Sequence, residues 1–119
     1  MIQPTSGTVP TTGSELNYLL SFEHRHALLE LSGELDEANA AFLEGLLWAL
    51  EETDMASVDI TADDVTFMSC RALRAILTSR TRWTRGGGTL RLVSASAVVT
   101  RLAQLAEAEA IFTAPLDGG

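Results

Sequence analysis

Between Ser57 and Arg85 the chain changes its period, and that change narrows the possible folds sharply. In SVDIT (57–61) the apolar Val58 and Ile60 alternate with polar neighbours, the two-residue repeat of a strand, and ADDVT carries the strand out into a loop. From Ala72 to Arg85 the apolar residues Leu73, Ile76 and Leu77 return at helical spacing, and Gly86, Gly87 and Gly88 stop the helix. A strand that passes through a short loop into a helix is the unit of a sheet covered by helices.

The flanking segments extend the same pattern. LNYLLSF (16–22) and HALLELS (26–32), separated by the polar EHR, predict two strands joined by a tight turn. In GELDEANAAFLEGLLWALEET, Phe42, Leu43, Leu46, Leu47 and Leu50 recur at helical spacing, with Asp36 and Glu37 at the start, where acidic groups favour the helix dipole. TLRLVS (89–94) predicts a further strand, a helix follows from about Ala97, and IFTA (111–114) predicts a last short strand. The order ββαβαβα, with or without a final β, defines an α/β fold: a mixed sheet of four or five strands flanked by helices. Residues 1–14, rich in Pro, Thr, Ser and Gly without a period, are expected to form a flexible arm. The folded domain is expected to span 15–116, with a short tail at 117–119. At 119 residues and 46% hydrophobic content the chain suits one core, not two.

Composition excludes several classes of function. The first residues, MIQPTSGTVPTTGSE, lack the basic start and apolar stretch of a signal peptide, and no apolar run approaches the ~20 residues that cross a bilayer, so a cytoplasmic protein without membrane insertion is expected. A net charge of −8 opposes direct nucleic-acid binding, which needs a basic surface to displace counterions. One cysteine, Cys70, and two histidines, His24 and His26, make no metal cluster, and no cofactor is called for. Asp59, Asp63 and Asp64 have no base or nucleophile at a telling spacing, and the two histidines read as surface residues of a turn. Trp48 and Trp83 are expected to pack on the sheet.

Taken in order, the paired strands, Gly33-Glu34-Leu35-Asp36 heading a helix, VDITADDVTFMSCRALRAIL, a glycine break and TLRLVS resemble the STAS domain, in particular the bacterial anti-sigma factor antagonists. The resemblance covers roughly Leu16 to Pro115. It implies no catalytic activity and a partner: an anti-sigma factor of the ATPase or kinase type, whose capture releases a sigma factor. In that family the strand after the first helix ends in Asp-Ser or Asp-Thr, then a small residue and a glycine, and the hydroxyl is the partner's phosphorylation site. Aligned on Phe67 and Met68, the family's aspartate falls on Ser69, its phosphoacceptor on Cys70, the small residue on Arg71 and the glycine on Ala72. Asp36 matches the acidic position beside the switch. The same fold also serves as the STAS subunit of a lipid-transport ABC complex, which needs no phosphoswitch. A small thiol-dependent enzyme using Cys70 is the rival from another class, without a histidine or second cysteine that the sequence places nearby.

The junction residues therefore carry competing roles. Cysteine is no substrate for a serine kinase, so either Ser69 has taken over the switch or phosphorylation is lost; the ordinary role of a serine before a helix is the N-cap. Cys70 is either a small buried hydrophobe or a thiol in the first helical turn beside Arg71 and Arg74, a setting that raises reactivity. All eight basic residues are arginine, and helical projection puts Arg71, Arg74, Arg82 and Arg85 in one sector with Thr78, opposite Leu73, Ile76 and Leu77. That one-signed stripe is either a solvated face or an interface, and arginine's planar fork suits acidic partner groups. Arg80 falls on the apolar side and is expected to reach outward from the helix. The partner surface expected from the sequence comprises Asp36, Ser69, Cys70, Arg71 and Arg74. A homodimer is left open.

Overall fold

The computed structural model describes residues 5–11 and 14–112. The elements are β1 (Thr5–Thr11), β2 (Ser14–Glu23), β3 (His26–Leu35), α1 (Glu37–Glu51), β4 (Ser57–Met68), α2 (Cys70–Arg85), β5 (Thr89–Ala95) and α3 (Ala97–Leu105), followed by a 3₁₀ turn over Glu109–Phe112. The strands lie side by side in chain order, β1 to β5. The first two pairings are antiparallel and the last two parallel. Parallel neighbours need crossovers, and right-handed crossovers through α1 and α2 in the same direction lay both helices on one face.

Alternation sorts the sheet into two faces. Leu16, Leu20, Leu29, Leu31, Val58, Ile60, Leu90 and Leu92 are buried, and Leu43, Leu47, Leu50, Leu73 and Ile76 of the two helices close over them. On the other face Arg91 and Val93 stand exposed, and Asp59 lies between Arg91 and His26. The β2–β3 hairpin turns on His24 at φ 57, a left-handed conformation that histidine tolerates better than most residues. His26 itself opens β3 instead of lying in the turn: its Nδ1 is 2.6 Å from Ser57 Oγ and its Nε2 3.4 Å from Asp59.

Several expectations are corrected. Residues 5–11 form an edge strand, not a flexible arm, pairing from Thr5 opposite Leu20 to Thr11 opposite Ser14. An edge strand needs backbone partners more than an apolar face, and Gly7 lets the Tyr18 ring lie close, since a Cβ there would stand 2.7 Å from the ring. The sheet therefore starts ten residues before Glu15. The strand expected to end in a loop after Thr61 continues to Met68, because Leu35 of β3 still pairs with Met68. Ile111 and Phe112 lie in the 3₁₀ turn, with Ile111 buried, instead of a last strand; residues 113–119, which include the expected tail, lie outside the described residues. Trp83 is buried as expected, but Trp48 is 53% exposed. It stands next to Leu47 in sequence, which turns it about 100° away from the buried stripe.

Candidate functional site at the twin helix starts

Two parallel strands end together, and each passes at once into a helix. Leu35 and Met68 are opposite one another at the ends of β3 and β4, and the Ser69 N–H donates to the Leu35 carbonyl at 2.7 Å. The next residues are both N-caps. The Asp36 carboxylate accepts the Asn39 N–H at 2.9 Å, and Ser69 Oγ accepts the Ala72 N–H at 3.1 Å. Asn39 is buried beneath this end of the sheet and donates from Nδ2 to the Glu34 carbonyl at 2.6 Å. Asp36, Ser69, Cys70 and Arg71 thus come together at one end of the domain, with Arg74 a turn further along α2.

Their exposure differs in a way the sequence did not disclose. Ser69 is 9% exposed with its hydroxyl engaged as a cap, whereas Cys70 is exposed. Phe67, next to last in β4, is 47% exposed. Cys70 is therefore not a buried hydrophobe. The contrast is set at the junction itself: β4 buries Met68 and leaves Phe67 exposed, and the cap residue Ser69 is covered while Cys70, the first residue of α2, is exposed.

The arginine stripe is partly spoken for. Arg71 reaches α1 and donates to Glu44 from Nη2 at 3.0 Å and Nε at 3.2 Å. That hydrogen bonding holds the Glu44 carboxyl below its ordinary range and Arg71 above its own. Arg82 likewise grips Glu51, donating from Nη2 at 2.9 Å, and its guanidinium lies over the Trp48 ring, 4.8 Å from the centroid. Glu51 also accepts from the Ser79 hydroxyl at 2.8 Å. The stripe is one-signed on α2 alone; with α1 beside it, acids and bases interleave. Arg74 and Arg85 are exposed, and Arg74 makes no hydrogen bond or ion pair among the described residues. Arg80 is half-buried. The missed partners carry a signal: Glu44 and Glu51 are seven residues apart, hence on one face of α1, opposite two arginines of α2.

Among the described residues no group of three or more His, Cys, Asp or Glu side chains could hold a metal ion, and no helix is long and apolar enough to cross a membrane.

A mixed five-stranded sheet flanked by helices is a fold shared with solved anti-sigma factor antagonists. The structure of SpoIIAA in its unphosphorylated form superimposes with a TM-score of 0.72 at 15% identity, covering 84% of this chain and 89% of that one. An anti-sigma factor antagonist from Mycobacterium paratuberculosis gives 0.72 at 18% identity, with 82% of each chain covered. The Bacillus cell fate determinant SpoIIAA in its phosphorylated form gives 0.67 at 14% identity, covering 84% and 92%. No curated protein matches the sequence. Residues 19–117 match the STAS domain family, and the chain belongs to it.

Proposed function

We propose that this STAS domain is a cytoplasmic, non-enzymatic regulator of the anti-sigma factor antagonist type, which binds an ATPase- or kinase-type anti-sigma factor through the twin helix starts. The observation that carries the reading is the patch formed there: Phe67, Cys70 and Arg74 face solvent at the place where the two strands end. Exposed aromatic rings and arginines are among the residue types enriched at interfaces. Asp36 and Arg71 border the patch and complete the docking surface.

The phosphoswitch is altered in this reading. The residue aligned with the phosphoacceptor is a thiol, and the neighbouring Ser69 hydroxyl is engaged in capping α2 and largely covered. A kinase needs the hydroxyl free and reachable, so release of the partner is set by something other than phosphate at this position. A thiol enzyme is disfavoured by distance. His26 lies at the start of β3 and Cys70 just past its far end, on the order of 30 Å away for a ten-residue strand. The net charge of −8 disfavours direct nucleic-acid binding.

Affinity capture on the tagged chain, followed by mass spectrometry and a titration of the recovered partner, tests the proposal. It predicts an anti-sigma factor with an ATPase domain at equal stoichiometry. Recovery of transporter components instead would assign the chain to a lipid-transport complex.

A further inference from the structure

Gly45 sits in the middle of α1, exposed, where glycine destabilises a helix relative to any ordinary residue. No packing requires it: a Cβ built there meets no heavy atom within 4 Å. What the missing side chain leaves is a trough between α1 and α2, about 440 Å³ in volume, with Gly45 and Ala75 at its floor. Trp48 and Arg82 form one end and Glu44 the other, with Arg74 and Thr78 along the α2 wall. From Arg74 to Arg82 the wall runs about 12 Å, two turns of helix.

The charge of the trough selects its occupant. Arg71, Arg74 and Arg82 line or border it, and Glu44 and Glu51 pair with the first and last. One guanidinium is left over, that of Arg74, in a chain whose net charge is −8. Half of the Trp48 surface is exposed beside it, the indole held in place by the Arg82 guanidinium. A carboxylate satisfies Arg74, and an apolar side chain one or two turns away fills the space above Gly45 against Trp48. A second copy has no unheld carboxylate in its own trough to offer Arg74, since Glu44 and Glu51 are already held by Arg71 and Arg82.

We infer that the α1–α2 trough is a docking groove for an acidic segment of a partner protein, one that presents a large apolar side chain to Trp48 and a carboxylate to Arg74. The inference goes beyond the anti-sigma reading and does not depend on it. The groove adjoins the twin helix starts and shares Arg74 with them, so a partner engaged there can extend into it.

The test uses the full chain and two short helical peptides, each with leucines on one face, flanked in one by glutamates and in the other by lysines. Binding is followed by NMR through the Trp48 indole N–H and the Gly45 and Thr78 amides. The glutamate peptide is expected to bind at millimolar affinity or better and to shift those three signals, with the lysine peptide about tenfold weaker. Arg74→Glu and Trp48→Ala should each weaken binding about fivefold or more. Gly45→Leu separates occupancy from folding: it should raise the melting temperature, because leucine is the better helix former, while abolishing peptide binding. Equal binding of both peptides, no binding of either, shifts confined to other surfaces, undiminished binding by Gly45→Leu, or peptide-independent self-association through Trp48 would each overturn the assignment.

Discussion

Arg71 holds Glu44 across the α1–α2 seam through two hydrogen bonds, at 3.0 and 3.2 Å, while Arg74 one turn on holds nothing among the described residues. Two arginines that look equivalent in sequence are therefore unequal as partner contacts. Arg74→Ala should weaken anti-sigma factor binding about tenfold and lessen its dependence on salt. Its effect on folding should stay within about 0.5 kcal/mol, since no cap or core contact is lost. Arg71→Ala should weaken binding less, because Glu44 already offsets its charge. Calorimetric titration of both variants at two salt concentrations ranks them, and a larger loss for Arg71 would reverse this assignment.

Ser69 should matter to stability first. Its hydroxyl accepts the Ala72 N–H in a nearly closed site, so Ser69→Ala should destabilise the domain by about 1 kcal/mol in urea unfolding. Ser69→Asp keeps a cap acceptor and should restore most of that loss. Failure of the aspartate variant to recover stability would separate the hydroxyl from its capping role.

Gly33 of the Gly-Glu-Leu-Asp element has φ 93, at an irregularity in the β3–β4 pairing. A Cβ there would run into the Glu15 carbonyl oxygen on the neighbouring strand. Gly33→Ala should therefore cost about 2 kcal/mol or more, from strain and backbone displacement together. Differential scanning calorimetry would show the drop, and an unchanged melting temperature would mean that the β2–β3 approach is looser than described.

The sheet and its helices were legible because their apolar residues keep period: Val58 and Ile60 alternate, and Leu43, Leu47 and Leu50 share a helix face. β1 was not, since an edge strand is held by its backbone and its Thr-Ser-Gly composition imitates a linker. The junction was found from its order of residues, Phe67 to Ala72, but which side chain faced solvent depended on where β4 ended, and the loop expected after Thr61 hid that. The pairing of Arg71 with Glu44 and Arg82 with Glu51 is a tertiary fact. Reading α2 by itself made the stripe look uncompensated, because the acids that answer it lie on another helix. Trp48, expected to pack on the sheet, faces outward because it follows Leu47 of the buried leucine stripe by one residue.

Cys70 is exposed at the first residue of α2. A maleimide reagent should label it completely in the folded protein, and the bulky adduct should lower anti-sigma factor affinity about tenfold or more, while a Cys70→Ala variant escapes the reagent and loses no affinity on treatment with it. Full labelling with unchanged affinity would move the docking surface away from the helix start.

Exposure of the complex to ATP decides whether this STAS regulator holds its anti-sigma factor without a phosphoswitch at the helix start. The complex is incubated with ATP and magnesium, passed over a sizing column, and the chain's intact mass and peptides are determined. The complex should survive, and Ser69 and Cys70 should carry no phosphate. Stoichiometric phosphate on Ser69, accompanied by release of the partner, would contradict it, and phosphate on Thr66 or Thr78 instead would show that the switch lies elsewhere on this surface.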